Sequence, residues 1–469
     1  MKRFKLKLMR LGFIAAVALV AGSVLADQIS DYFTIGKKAQ DDGDYELAIS
    51  CWSTVLRLQP TNDTAFFNRG LAYTQKGDFT NAINDFNEAI KLNPADARAY
   101  DNRGNLYDQK GEVDKAISDY SEAIKLNPKD TWAYSKRAAD YHRKGDSEKA
   151  ISDYTQAIQL NPKDATFYDS RGRAYAMKED WDKAISDYNE VLKLNPKQAS
   201  AFNSRGLAYA MKGELDKAIA DLSEVIKLNP KDSPAYSSRG LSYGMKGEWD
   251  KALSDFNELI RLKPEEGMAY DNRAAAYQKL GKLDEALADF NQAIKLNPKD
   301  IGAIHNRGLI YLMKGDWAKG IEDLTKSIQF NPQNPDAFAK RGYAYYQKGE
   351  YQKGMDDIKE AVQLNPKDAE SWNNLAWFRA TCPDASQRNA KEAVEAGRKA
   401  CELTDWKEWH CVGTLAAAYA ESGDFEQAVK YQKQSMGLAG VTDKDKEAMQ
   451  QKIALYEQHK TGQEAAKKD

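Results

Sequence analysis

Prolines stand at Pro60, Pro94, Pro128, Pro162, Pro196, Pro230, Pro264, Pro298, Pro332 and Pro366, each 34 residues after the last. Ten of the thirteen prolines obey this one period, and most close a Leu-Asn-Pro tripeptide. A fixed period of about 20 to 50 residues marks a chain built from stacked copies of one supersecondary unit, each touching only its neighbours. The 469 residues therefore count repeats rather than globular domains.

Numbering each unit so that its proline is position 32 places repeats at 29–62, 63–96 and onward to 335–368, ten units without a gap. In the second unit Phe66, Gly70 and Tyr73 are spaced by four and three, which puts them on one helical face. Ala82, Phe86 and Ala89 repeat that spacing on a second helix. Between them Lys76-Gly77-Asp78 offers a glycine for the left-handed conformation that ends a helix. Asn93-Pro94 stops the second helix, because the residue before a proline is pushed out of the helical region. Each unit reads as a helical hairpin with small residues, Gly70 and Ala82, where its helices cross.

A second regularity is written in charges. Position 7 is arginine in nine units, from Arg69 to Arg341, and position 23 is aspartate in the same nine, from Asp85 to Asp357. In the first repeat both are lost together, to Ile35 and Cys51. In a hairpin turning near position 15 the two positions lie at similar heights on antiparallel helices. Pairs such as Arg205 with Asp221 and Arg239 with Asp255 are therefore expected, within a repeat or between neighbours, fixing register.

The set at positions 4, 8, 11, 20, 24, 27 and 32 resembles the tetratricopeptide repeat family, and it recurs down the array. The resemblance implies an all-α chain, a right-handed α-solenoid of about twelve helical hairpins plus a C-terminal capping helix. After Pro366 the pattern resumes with Trp372, Leu375 and Ala376, but about five extra residues around Thr381-Cys382-Pro383-Asp384 enlarge a turn. The expected organisation is a signal peptide over 1–26, ten regular units over 27–368, two modified units over 369–440, a capping helix over 441–459 presenting Met449, Ile453 and Tyr456, and a loose tail over 460–469.

In that family, positions 2, 5, 6, 9, 12 and 13 of the first helix line a concave groove that receives extended or helical peptides. Carried onto this sequence, the early repeats place polar residues there: Asp101, Asn105, Asp108, Gln109, His142 and Arg143. Later repeats place Leu207, Met211, Leu241, Met245, Leu309, Met313, Tyr343, Tyr346 and Trp377 there. The groove is thus expected to turn from polar to apolar. Methionine rows remould around different apolar anchors, which suits a peptide-binding surface, although the same side chains could instead pack between hairpins. The expected partner is a protein or peptide, with a carbohydrate or cell-wall ligand stacked on the groove aromatics as the alternative.

Composition bounds the partner. With 42% hydrophobic and 10% aromatic residues the chain can fill a core. The formal charge is -2, and the five cations Lys2, Arg3, Lys5, Lys7 and Arg10 precede Asp27, so the remainder carries 63 cations against 70 anions. That balance gives no general attraction to nucleic acid or anionic lipid. The cations, the apolar run Leu11 to Val20 and the small residues before Asp27 read as a secretory leader cleaved after Val24-Leu25-Ala26, sending the chain to the periplasm or beyond. The residue after Ala26 is Asp27 and not a cysteine, so lipoprotein processing is not expected.

The four cysteines of an exported chain invite disulfides. Cys382 and Cys401 are separated by roughly 18 Å of helix axis and should not bond. Cys401 and Cys411 flank a short turn, where either a disulfide or a pair of reduced packing cysteines is expected. No nucleophile elbow, phosphate loop, dinucleotide fingerprint or His-Glu-x-x-His motif occurs, and the cysteines never form Cys-x-x-Cys. His142 and His305, at positions 12 and 5, are expected as solvated surface residues rather than metal ligands. No catalysis, metal or cofactor is expected.

Overall fold

Position by position, the repeat dictates two helices. The first of the second repeat starts where the Asn62 side chain accepts from the Ala65 amide, and it ends at Gly77 with φ +80°. The second starts where Asp78 accepts from the Asn81 amide and ends at Asn93, already extended at φ -136° before the proline. In the fifth repeat the glycine of this turn is Glu179, held at φ +58°.

The computed structural model describes residues 26–461. The leader expected at 1–26 thus lies almost wholly outside the described residues. The described residues are helical, with no strand, and the chain divides into two compact units, Met1–Pro230 and Lys231–Asp469.

The first unit contains α1 (26–41), α2 (Tyr45–Leu58), α3 (Asp63–Lys76) and α4 (Phe79–Leu92). It continues with α5 (Ala97–Gln109), α6 (Val113–Leu126), α7 (Thr131–Arg143) and α8 (Ser147–Leu160). Its last hairpins are α9 (Ala165–Met177) with α10 (Trp181–Leu194) and α11 (Ala199–Met211) with α12 (Leu215–Leu228). Each second helix packs on its own first helix and, less extensively, on the first helix of the next hairpin. The unit is an α-solenoid whose core is a string of small clusters, such as Phe67, Ala82, Phe86, Ala99 and Leu106.

The second unit repeats this arrangement from α13 (Ser233–Met245), α14 (Trp249–Leu262), α15 (Gly267–Lys279) and α16 (Leu283–Leu296) through α17 (Ile301–Met313), α18 (Trp317–Phe330), α19 (Pro335–Gln347) and α20 (Tyr351–Leu364). After α21 (Ala369–Thr381) the enlarged turn holds one 3-10 turn, Ala385–Gln387, tied down by Arg379, whose Nη1 donates to the Gln387 carbonyl at 2.6 Å. Then come α22 (Ala390–Leu403), α23 (Trp409–Glu421), α24 (Phe425–Met436) and α25 (Asp443–Glu457). Helix α25 opens with a capping box between Thr442 and Asp445 and buries Met449, Ile453 and Tyr456. Among the described residues no helix is long and apolar enough to cross a membrane.

The position-8 glycines set the distance between the helices of a hairpin. A Cβ built on Gly172 would lie 2.8 Å from the Tyr188 ring, and one on Gly342 would lie 2.9 Å from the Gly354 carbonyl oxygen. Close helix approach is what lets position 24 fill the space beneath position 8.

Candidate functional site

In repeats 2 to 10 the arginine at position 7 reaches the aspartate at position 23 of its own hairpin in a two-pronged contact. Arg205 Nε donates to Asp221 Oδ2 at 2.8 Å and Nη2 to Oδ1 at 2.7 Å, and Arg239 meets Asp255 in the same way at 2.9 and 2.7 Å. The pairing is within the repeat. A third arm reaches the preceding repeat, where Arg103 Nη1 donates to Asn87, Arg137 Nη1 to Ser121 and Arg205 Nη1 to Asn189. Sequence reasoning missed this partner, position 25, although its column of Ser, Thr and Asn is periodic in the same ruler. Most of these guanidiniums also lie against two rings of their own helix, as Arg205 does over Phe202 and Tyr209 at 5.6 and 5.9 Å. Burial pushes the Asp85, Asp119 and Asp187 carboxyls up, against the opposing pull of their arginines. The pairs are costly to bury and define which helix meets which.

The remaining first-helix positions form the face on which a partner could lie. In the first unit Leu207 and Met211 are exposed, Met211 by 67%, and Met177, one repeat earlier at the same position as Met211, is exposed by 56%. The sequence reading passed over Met177, which the 34-residue spacing alone could have found. In the second unit Leu241, Met245, Met313 and Tyr343 are exposed. The structure gathers Leu309, Met313 and Tyr343 with Leu312 and Trp317 around a pocket of about 480 Å³. Its rim carries Gln278, Asn374 and the Lys340–Glu370 ion pair at 2.7 Å. Tyr343 stands edge-on to Trp317, with centroids 6.1 Å apart.

Two of the expected groove residues are not free. Tyr346 packs edge-on against Phe378 at 4.4 Å and Tyr351 at 5.4 Å, so it belongs to the core between hairpins. Trp377 has Lys452 of α25 over its ring at 5.5 Å and lines small pockets with residues of α23 and α25. The C-terminal helix thus lies against the first-helix face of α21, and burial lowers the Lys452 ammonium.

The cysteines take one of the two states expected for them, and the histidines depart from expectation. The Cys401–Cys411 disulfide is not formed: all four cysteines are free and buried. Both thiols pack as small apolar groups with Val412, Leu415 and Ala416, and burial raises Cys401 to about 12 and Cys411 to about 11. His305 is not a solvated residue, because its side chain is only 15% exposed and its Nε2 lies 2.9 Å from Asp336 of the next hairpin. His142 is half-buried, its Nδ1 is enclosed without a partner, and burial holds its ring below the usual imidazole range. Stacking of the following repeat, invisible to a single helix pattern, covers these positions.

In the first unit the early repeats carry carboxylates at buried positions. Asp101 is 8% exposed and is pushed up to about 8, by burial first and then by Asp130. Asp140 is 2% exposed and is raised to about 6, by burial and by Asp108. Among the described residues no three or more His, Cys, Asp or Glu are grouped so as to hold a metal ion.

Comparison with known proteins follows the ruler. The family model described as TPR repeat matches residues 41–77, 70–111, 104–145, 138–179, 172–213 and 308–349. Models described as tetratricopeptide repeat match 199–232, 269–300 and 335–368, and a further one matches 412–441. Together these spans take in more than half of the chain. No curated protein matches it. Among solved structures, that of MamA protein is 30% identical over 36% of this chain and 92% of its own, with a TM-score of 0.35. That of YrrB, described as a TPR protein with an unusual peptide-binding site, is 24% identical over 40% of this chain and 97% of its own, with a TM-score of 0.36. The C-terminal part of a TPR repeat-containing protein from Cytophaga hutchinsonii is 19% identical over 51% of this chain and 98% of its own, with a TM-score of 0.47.

Proposed function

Since this chain belongs to the tetratricopeptide repeat family, we propose that it is a protein-interaction scaffold that holds a segment of a partner protein on the first-helix face of its second unit. The observation that carries this reading is the pocket lined by Leu309, Leu312, Met313, Trp317 and Tyr343, apolar in its walls and polar at its rim. Such a pocket accepts an apolar anchor side chain while the rim amides and the Lys340–Glu370 pair meet backbone groups. Helix α25 supports the same reading, since a helix of the chain itself already rests on the first-helix face at Trp377, Ala380 and Thr381.

The leader read in residues 1–26 supports work in the cell envelope, in assembly or secretion. The carbohydrate alternative keeps less support, because Tyr346 is packed against Phe378 and one approach to the Trp377 ring is taken by Lys452.

The test is capture from envelope extract on immobilised protein, with wild type beside Met313→Glu/Tyr343→Glu. Placing two carboxylates in the pocket should lower recovery of the specific partner by about tenfold or more. Unfolding should be unchanged, because both side chains are exposed. Equal recovery by the two proteins, or glycan-array binding without protein capture, contradicts the reading.

A further inference from the structure

The first unit holds a second, chemically different site. Position 10 of the first helix is buried to within 2% in repeats 2 to 10, and it is Ala, Leu or Ile except at two places. One is Ser242, whose hydroxyl donates back to the Ser238 carbonyl of its own helix at 2.8 Å. The other is Asp140, a carboxylate where the repeat calls for a methyl group.

Around it the polar groups are left incomplete. The Tyr120 hydroxyl is fully buried without a hydrogen-bond partner, and burial first, then the charges of Asp108, Asp140 and Asp101, push its ionisation upward. Asp140 Oδ2 and Asp101 Oδ1, on side chains more than nine-tenths buried, are also without partners. Asp101 and Asp108 lie seven residues apart on one face of α5, about 10 Å along its axis. Buried polar groups are satisfied in nearly every folded protein, so three such orphans on the adjoining helices α5, α6 and α7 point to something that completes them.

The sign of that ligand follows from charge. Three carboxylates act on Tyr120, and two of them share one cation, Arg143, whose Nη2 donates to Asp108 Oδ1 and to Asp140 Oδ1 at 2.5 Å each. Arg143 lies at the solvent edge, with its side chain 49% exposed, and leaves the deeper Asp101 and Asp140 oxygens unmet. It demonstrates that Asp108 and Asp140 accept a guanidinium, and it supplies one where the charge calls for more. A planar fork of donors matches separated carboxylate oxygens better than a point charge does.

We propose that the strip of Asp101, Asp108 and Asp140 around Tyr120 is an anchoring site for an arginine side chain of a basic segment in a partner protein. This rests on the reading of the chain as a protein-interaction scaffold, but it concerns a different unit and a different chemistry from the apolar pocket. Filling the site with a cation favours the ionised form of Asp101, so binding near neutral pH is coupled to proton release. The groups that enter this coupling are Asp96 at the N-cap of α5 where Arg98 holds it, Asp108 on α5, Asp119 on α6 where Arg103 holds it, and Asp130, Asp140 and Arg143 at or on α7.

The experiment uses the full chain and a fluorescein-labelled hexa-arginine peptide, followed by anisotropy. Saturable binding is expected, weakened about tenfold or more in Asp101→Asn/Asp140→Ala. It should be unchanged in Glu190→Gln/Glu224→Gln, which removes two exposed carboxylates of the same unit. Calorimetry in two buffers of different ionisation enthalpy should detect proton release at pH 7 with wild type and its loss with Asp101→Asn alone, a readout that serves even if the double variant folds poorly. Equal weakening by both pairs of substitutions, non-saturable binding, or release that survives Asp101→Asn overturns the proposal. Met313→Glu/Tyr343→Glu should bind hexa-arginine as wild type does. Failure of the carboxyl site thus leaves envelope capture by the second unit intact, and failure of the pocket leaves hexa-arginine binding intact.

Discussion

Asp221→Ala should destabilise the first unit by about 3 kcal/mol, because it strands the Arg205 guanidinium, only 19% exposed, with Asn189 as its remaining polar partner. Urea unfolding followed by circular dichroism measures it. Asp221→Asn, which keeps one acceptor, should cost less, and the double change Arg205→Met/Asp221→Ala should cost less than the sum of its parts. An exposed pair gives the contrast. Lys178 and Glu148 meet at 2.8 Å but are 41% and 82% exposed, so Glu148→Ala should stay within about 0.5 kcal/mol of wild type. Equal effects at Asp221 and Glu148 would mean that the ladder does not fix register.

Asp140→Ala should act in the opposite direction, raising stability by about 1–3 kcal/mol at pH 8, since it removes a buried and half-satisfied carboxylate from a position built for a methyl group. The pH dependence has a definite sign. Folding raises Asp140 to about 6 and Asp101 to about 8, so between the ordinary carboxylate range near 4 and those values the folded state holds protons that the unfolded state has released. Wild-type stability therefore falls as pH rises through that window. The gain from Asp140→Ala should be small at pH 4.5 and complete above pH 7, read from thermal melts across that range. The same substitution is expected to weaken hexa-arginine binding, so these residues trade stability for a site.

The fold was largely legible in the sequence because one period repeats every constraint: Gly77 ends a helix, Pro94 stops the next, and Gly70 admits Phe86. The ladder was legible for the same reason, since Arg205 and Asp221 recur at fixed positions. Its third arm was not, because Ser121, Thr155 and Asn189 differ in type while serving one role as acceptors for an arginine. The surface was less legible than the core. A helical pattern says which residues face away from their own hairpin but not what the next hairpin brings, and His305 and Tyr346 were each covered by a neighbour. Cys401 and Cys411 illustrate the same limit, since sequence proximity to a turn says nothing of whether thiols bond or pack. Asp140 was overlooked because a polar residue among polar residues attracts no notice until its burial is known.

The first-helix face of the second unit is the central claim, and site-specific photocrosslinking tests it most directly. A benzophenone amino acid placed at Tyr343, beside the apolar pocket, should give a discrete covalent adduct with the captured partner, whereas the same group at the exposed Gln363 on the second helix of that hairpin should give none. Adducts of equal yield at both positions, or at Gln363 alone, would contradict the account.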